Sequence, residues 1–172
     1  MMPLQHRYEH LAAALEYPTE QTAALLETCE AQFRASCPRA AELLTPLRQY
    51  LTDNPLETVQ ERYTRTFDLT PVCALDVGYH LFGEDWQRGP FLARLRESQQ
   101  EAGVNAGLEL PDHLPIVLKW LARVEGTDVH DDMVRECVLP ALAKMDACLA
   151  DSDNPYRHLL RAIAAVLKQG SR

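Results

Sequence analysis

The chain has 172 residues, of which 47% are hydrophobic and 24% are charged, and its formal net charge is −8. This composition is typical of a folded globular protein and excludes a largely disordered chain. Lys and Arg are scattered, so the basic stripe of nucleic-acid-binding proteins is missing, and an acidic chain favours a basic partner. Only 7 glycines interrupt a sequence rich in Ala, Leu, Glu, Arg and Gln, which favours helices.

Four helices are predicted in the first part of the chain, and prolines separate them. The first covers residues 5–15 and ends before Pro18, because a residue that precedes proline avoids the helical conformation. Thr19 is predicted to cap the second helix, and Pro38 to begin the third, where the first turn tolerates proline. The fourth follows Pro55. Its apolar positions share one face at helical spacing: Leu56, Val59, Tyr63 and Phe67.

A long central connection is predicted over about residues 68–89, where the helical periodicity fails. This stretch holds Pro71, Gly78 and Gly83, and we expect at most one short helix in it. Connections of this length are uncommon in compact domains and are often functional.

Regular helices resume after the connection, over residues 89–102, 112–124 and 128–150. Pro140 lies inside the third of these and must kink or divide it, because proline has no N–H to donate. A last helix follows Asn154-Pro155. With no internal repeat and no linker, the sequence predicts an all-α fold, a single-domain helical bundle.

Known catalytic motifs are missing from the sequence, which has no glycine-rich phosphate loop, no Gly-x-Ser-x-Gly and no His-Glu-x-x-His. The five cysteines include no Cys-x-x-Cys pair, so we expect buried thiols rather than a disulfide framework or a zinc site. The N-terminus lacks the apolar stretch of a signal peptide, and the apolar runs are far shorter than a membrane span. The prediction is a cytoplasmic protein without membrane insertion.

The dipeptide His130-Asp131 is a candidate for metal-dependent catalysis. Helical phosphohydrolases of the HD type place such a dipeptide on their metal ions, which would need further ligands elsewhere in the chain. The candidates for those ligands are His80 or His113, with Asp146 or Asp151. The interpretation that we favour is a solvated helix start, where carboxylates stabilise the positive end of the helix dipole.

The segment Glu109–Pro115, with the sequence ELPDHLP, has two interpretations of equal weight. In the first it is a helix entry, in which Pro111 closes the loop and Asp112 offers its carboxylate to the first turn. In the second it is a rigid corner that displays Asp112 and His113 side by side to a ligand.

An aromatic and acidic cluster lies within the central connection. Its side chains either fold back into the core or line a groove for an apolar peptide with basic ends. The cluster consists of Tyr79, His80, Phe82, Glu84, Asp85 and Trp86.

With these segments in place, the chain resembles the assembly chaperones of molybdenum oxidoreductases, the NarJ, TorD and DmsD group. The matching segments are YTRTFD at residues 63–68, YHLFG at 79–83, Arg88-Gly89 and, most specific, ELPDHLP at 109–115. Ala141 stands where TorD- and DmsD-like members tend to have tryptophan. This departure favours the NarJ-like branch, often described as the nitrate reductase delta subunit.

The resemblance implies an all-α chaperone without catalysis, metal or cofactor of its own. It further implies that the partner is a nitrate reductase-like molybdoenzyme catalytic subunit, bound through its N-terminal twin-arginine-type leader or a remnant of one while the molybdenum cofactor is inserted. Client recognition would centre on Asp112 and His113. The candidate client-binding residues are Tyr63, Phe67, Asp68, Tyr79, His80, Phe82, Glu84, Asp85, Trp86, Glu109, Leu110, Pro111, Asp112, His113 and Leu114.

Overall fold

The computed structural model describes residues 4–69 and 73–171, and this part of the chain is built from helices. In chain order they are α1 (Leu4–Ala14), α2 (Thr22–Ser36), α3 (Pro38–Asp53), α4 (Leu56–Phe67), α5 (Val77–Phe82), α6 (Arg88–Glu101), α7 (Leu114–Arg123), α8 (Asp128–Met133), a π-helical turn (Val134–Val138), α9 (Leu139–Cys148) and α10 (Tyr156–Gly170). Within the described ranges the only β-type pairing is an isolated bridge between Asp76 and His113. The all-α prediction is confirmed.

The prolines begin helices where the sequence predicts. Pro38 occupies the first turn of α3, and α4 begins directly after Pro55. The second helix differs from its prediction, because α2 begins at Thr22 and not after a cap at Thr19. Thr19 instead accepts the backbone N–H of Thr22 at 3.1 Å, in a turn that precedes the helix.

The long helix predicted over residues 128–150 is divided in two. A π-helical turn separates α8 from α9, and Pro140 follows it in the first turn of α9. Because Pro140 has no N–H, the α-helical bond to the carbonyl four residues earlier is missing, and the wider turn lies directly before it.

One cluster of buried apolar side chains joins the helices. Helix α3 packs between α2 and α10, α1 packs on α7, and α9 packs on α10 and on the short α5. The described part of the central connection contains one short helix, α5, as the sequence predicts, and this helix packs on α9.

The cysteines are only partly as expected. Cys29, Cys37 and Cys73 are buried thiols, but Cys137 is half-buried and Cys148 is exposed at the end of α9. The prediction of a buried thiol is wrong for Cys148, because its side chain lies on the solvent-facing side of the last turn of α9. No helix in the described parts of the chain is long and apolar enough to cross a bilayer.

Candidate functional site

A groove of about 540 Å³ lies where the end of α1, the end of α4 and the start of α7 meet. It brings together segments that lie far apart in the sequence, including the YTRTFD and ELPDHLP motifs. The lining residues are Glu16, Tyr17, Tyr63, Phe67, Asp68, Ala74, Leu75, Asp76, Glu109, His113, Pro115 and Ile116.

Aromatic rings form the floor of this groove. Tyr63 and Phe67, one helical turn apart on α4, are almost fully buried and meet edge to face at 5.1 Å between ring centroids. Tyr63 also donates its hydroxyl to the carbonyl of Leu15 at 2.6 Å, which ties α4 to the end of α1. Tyr17 meets Tyr63 at 5.7 Å and is half exposed. The floor is therefore rigid, and its rim presents an accessible ring.

A short backbone bridge holds one wall of the groove. The N–H of Val77 donates to the carbonyl of Asp112, and the N–H of Leu114 donates to the carbonyl of Leu75, both at 2.9 Å. This bridge sets Asp76 opposite His113, with His113 Nδ1 3.5 Å from Asp76 Oδ1. Successive side chains of an extended segment point to opposite sides, so His113 faces the groove while its neighbour Asp112 faces inward.

Asp112 is fully buried, so the second interpretation of ELPDHLP, in which Asp112 and His113 are displayed side by side, is wrong. Its Oδ2 accepts the N–H of Gly78 at 2.8 Å and lies 3.2 Å from the guanidinium of Arg88. Its backbone carbonyl accepts the N–H of Val77. Asp112 thus caps the first turn of α5, a helix 34 residues earlier, and not the helix that follows it.

The start of α7 differs from the prediction for the same reason. The helix begins at Leu114, two residues after the predicted start, since His113 has the extended conformation that the bridge requires. Pro115 does lie within the tolerant first turn. From the other side, Gln99 of α6 donates to the carbonyl of Pro111 at 2.7 Å, which further fixes the corner.

The groove is acidic, with four carboxylates among its lining residues. Lys119 neutralises Glu16 at 2.9 Å, and Asp76 faces His113 and, at 4.0 Å, Arg88. Within the described residues, neither Asp68 nor Glu109 has a Lys or Arg in ion-pairing range. Two carboxylates of the groove are therefore available to cations from outside.

The pKa values of two groove carboxylates, Asp68 and Asp76, are shifted in opposite directions. Partial burial raises the pKa of Asp68, and repulsion from Glu109 adds to this effect, against the opposing influence of His113. The nearby imidazole of His113 holds the pKa of Asp76 below its usual value, against its burial, and Arg88 contributes further. Asp76 thus stays ionised, while Asp68 gains from any cation that enters the groove.

The aromatic cluster of the central connection lies outside this groove. Trp86 is 77% exposed, and Tyr79 is also exposed. Phe82 packs on Phe91 of α6 at 5.4 Å between ring centroids. The imidazole of His80 is 2.6 Å from the carbonyl of Ala74, so His80 stabilises the connection. Glu84 and Asp85 are exposed in the turn before α6.

Five of the predicted site residues meet in the groove: Tyr63, Phe67, Asp68, Glu109 and His113. The prediction missed Glu16, Tyr17 and Asp76. Glu16 and Tyr17 lie in a segment that the sequence analysis interpreted only as the end of a helix. Asp76 lies in the central connection, where no regular pattern singled it out. An acidic residue beside an aromatic one at residues 16–17, repeated at 67–68, is the signal that could have identified them.

His130, the residue of the alternative phosphohydrolase hypothesis, is fully buried. Its Nε2 lies 3.1 Å from the hydroxyl of Tyr8 and its Nδ1 lies 2.9 Å from Asp131 Oδ1, so both ring nitrogens are engaged. The helix start itself is capped by Thr127, whose hydroxyl accepts the N–H of His130. The favoured interpretation as a helix start is right, but the solvated environment is wrong for His130. Across the described residues, His, Cys, Asp and Glu form no group of three or more that could hold a metal ion.

Exposed apolar side chains flank the acidic residues of the groove. Leu69 follows Asp68, and Leu108 and Leu110 enclose Glu109, all exposed to solvent. Apolar residues of this size on a surface often mark a docking site.

Three comparisons with known proteins agree with this architecture. The protein family described as nitrate reductase delta subunit matches residues 34–162, about three quarters of the chain. Among curated relatives, the nitrate reductase molybdenum cofactor assembly chaperone NarJ of Bacillus subtilis is 28% identical over 95% of this chain and 89% of its own length.

The relatives from Escherichia coli K12 are longer proteins. The assembly chaperone NarW is 29% identical over 87% of this chain but 62% of its own length, and NarJ is 30% identical over 64% of this chain and 46% of its own. The chain therefore spans about half the length of these two relatives. Among solved structures, a protein described as a redox enzyme maturation protein from Archaeoglobus fulgidus matches the fold with a TM-score of 0.66 and 21% identity, over 98% of this chain and 95% of that one.

Proposed function

Because the chain belongs to the nitrate reductase delta subunit family, we propose that it is an assembly chaperone for a nitrate reductase-like molybdoenzyme. It binds the N-terminal segment of the catalytic subunit, a twin-arginine-type leader or its remnant, and holds that subunit until the molybdenum cofactor is in place. The observation that carries this proposal is the acidic groove with an aromatic floor, in which neither Asp68 nor Glu109 is paired with a Lys or Arg of the described residues.

The groove suits a segment that is basic at one end and apolar further along. The carboxylates attract the cations and raise the rate of encounter, since like charge is spread over a concave surface. The apolar part has Tyr17 and the exposed leucines beside Asp68 and Glu109 to pack against. Aromatic side chains in a rigid setting are the preferred anchors of peptide-binding sites.

The proposal assigns the chain no catalytic activity. The curated relatives carry names of chaperones. In the groove, Asp68 and Glu109 repel one another, and this repulsion favours an incoming cation. The central-connection residues Tyr79 and Trp86 remain candidates for a second contact with the client, outside the groove. The single domain and the cytoplasmic location predicted from the sequence stay predictions.

Purification of the tagged chain from its own cells, grown so that the molybdoenzyme is made, is the first test. We expect the catalytic subunit of a nitrate reductase-like enzyme among the proteins that co-purify, identified by mass spectrometry. Its absence under those conditions would contradict the proposal.

A titration with the N-terminal leader peptide of that subunit tests the groove itself. The double variant Asp68→Asn/Glu109→Gln is expected to bind about tenfold more weakly at low salt, because each partly exposed charge contact contributes up to about 1 kcal/mol. The matched control is Asp132→Asn/Glu136→Gln, which removes the same two charges from exposed positions on α8 and the π-helical turn. We expect the control to bind within about twofold of the wild type.

Salt supplies a second measurement in the same titration. Affinity of the wild type for the leader is expected to fall as salt rises, because exposed charges are screened beyond about 8 Å at physiological ionic strength. A flat salt dependence, or equal losses in the groove variant and its control, would remove the electrostatic part of the proposal.

A further inference from the structure

Two aspartates flank the backbone bridge at the groove wall, and the structure gives them opposite environments. Asp112 is fully buried, and its carboxylate accepts the N–H of Gly78 at 2.8 Å and a guanidinium hydrogen of Arg88 at 3.2 Å. The side chain of Asp76 is 31% exposed and lines the groove. A peptide in the groove can reach Asp76, whereas Asp112 lies behind the bridge.

Resting on the function proposed above, we propose that Asp76 is the carboxylate that receives a guanidinium of the bound leader, and that Asp112 is a positioning residue that never touches it. Asp112 acts through the bridge and through α5. Its side chain and its backbone carbonyl accept the N–H groups of Gly78 and Val77, the two residues that follow Asp76.

The contacts of Asp76 leave room for a better-placed cation. Its two oxygens face different groups, His113 Nδ1 at 3.5 Å from Oδ1 and the Arg88 guanidinium at 4.0 Å from Oδ2. Both distances exceed the 2.7–2.9 Å or so of a charge-assisted hydrogen bond. A planar guanidinium has parallel N–H groups that can bind both oxygens at once, which an ammonium cannot do, so the site favours arginine over lysine.

Close packing makes the position of Asp112 sensitive to its neighbours. A Cβ added to Gly78 would lie 2.7 Å from Asp112 Oδ2, so glycine is needed where the carboxylate meets the helix start. Asp112 Oδ1 and Arg88 Nε have no hydrogen-bond partner among the described residues. The pair is thus held by packing and by the single 3.2 Å contact between Arg88 and Asp112 Oδ2.

The test compares two synthetic versions of the leader peptide from the co-purified catalytic subunit, one with its arginines and one with citrulline, which is uncharged, at the same positions. Wild type is expected to prefer the arginine peptide about tenfold or more. Asp76→Asn should lose most of this preference, and the remainder should come from two other groove carboxylates, Asp68 and Glu109. Asp112→Asn should bind both more weakly, with a lower melting temperature, but should keep the wild-type ratio between them.

Each alternative outcome identifies its cause. If Asp76→Asn keeps the wild-type preference for arginine, or if Asp112→Asn alone loses it, the assignment is overturned while the chaperone function stands. If wild type binds neither peptide, the proposed function fails and the assignment falls with it. Should Asp112→Asn not fold, the Asp76→Asn arm decides alone, with Asp132→Asn as the charge-matched control for a distant, exposed carboxylate.

Discussion

Two aspartate–arginine clusters in this molecule use the same chemical groups and differ in nearly every physical respect. Asp112 at the groove is fully buried, and a single arginine, Arg88, approaches one of its oxygens. Asp146 on α9 is 27% exposed and receives two arginines of α10. Arg157 and Arg161 each bind both of its oxygens, at distances from 2.6 to 3.2 Å.

The pKa values of the two aspartates move in opposite directions. Burial raises the pKa of Asp112, and the attraction of Arg88 only partly offsets this. Hydrogen bonds from Arg157 and Arg161 lower the pKa of Asp146 from 3.8 to about 2. The ionised form of a carboxylate is therefore stabilised by the hydrogen bonds that it accepts. A buried ion pair whose polar atoms lack hydrogen-bond partners contributes little to stability.

The comparison also distinguishes a contact that only holds the fold together from one that lies next to the candidate site. The Asp146 cluster joins α9 to α10 with its hydrogen bonds satisfied, as a structural contact should. In the Asp112–Arg88 pair, two buried polar atoms, Asp112 Oδ1 and Arg88 Nε, find no hydrogen-bond partner within the described parts of the chain. Unsatisfied buried groups of this kind are found where a structure must hold a functional geometry.

The largest effect on stability is expected when the carboxylate of Asp112 is removed, and removal of the Asp146 carboxylate serves as the comparison. Asp112→Ala should lower the free energy of unfolding by about 3 kcal/mol, because the Gly78 N–H and the Arg88 guanidinium both lose their buried partner. Asp146→Ala should lower it by about 1 kcal/mol, since its arginines can turn to water. Urea denaturation measures both, and equal losses would break the distinction between the clusters.

Substitution of a glycine tests the packing at Asp112 without changing a charge. Gly78→Ala should destabilise the protein by about 2 kcal/mol, because the new methyl meets Asp112 Oδ2 at 2.7 Å and the Phe91 ring at 3.1 Å. The matched control is Gly89→Ala on α6, where a Cβ meets nothing within 4 Å. It should stabilise by about 0.5 kcal/mol, since alanine favours the helix. If thermal or urea denaturation shows the two variants to be equally stable, the close contact is not important.

The pH dependence of stability is expected to be the smallest effect, and it should sharpen the contrast between the two aspartates. The folded pKa of Asp146 lies below the unfolded value of 3.8, so its stabilisation is present above pH 3.8 and is lost as pH falls toward about 2. The advantage of wild type over Asp146→Asn should therefore shrink in acid.

Asp112 should show the opposite trend. Its folded pKa is raised, so its contribution is fully present below the unfolded value of 3.8 and is lost as pH rises through the folded pKa. The difference between wild type and Asp112→Asn should grow in favour of wild type as pH falls. Denaturation curves from about pH 6 to about pH 2 measure both variants, and parallel trends would contradict the assigned pKa directions.

Much of the fold could be predicted from local patterns. The stripe of Val59, Tyr63 and Phe67 gave the face of α4 correctly, and Pro38 and Pro140 marked helix starts. The prediction failed where a short segment pairs with a distant one. Thr19 was interpreted as a cap from its residue type alone. One of the two interpretations of ELPDHLP assigned the carboxylate of Asp112 to its own helix, although it binds Gly78, 34 residues earlier, and Arg88, 24 residues earlier.

The candidate site was predictable only in part, for the same reason. The ELPDHLP segment was identified from its residue types and YTRTFD from the family resemblance, and their meeting in one groove agrees with that choice. Asp76 could not be found, because its place beside His113 depends on a two-residue backbone bridge that has no pattern in the sequence.

The sequence by itself determined the helices, the acidic character and the family, since helix spacing, proline positions, charge and short motifs are local properties. Only the tertiary structure decided which of two neighbouring polar side chains faces the groove. In the extended segment before α7 the side chains alternate, so that the bridge to residues 75–77 sends His113 outward and Asp112 inward. The register of that bridge is set by packing across the whole molecule, which no single segment contains.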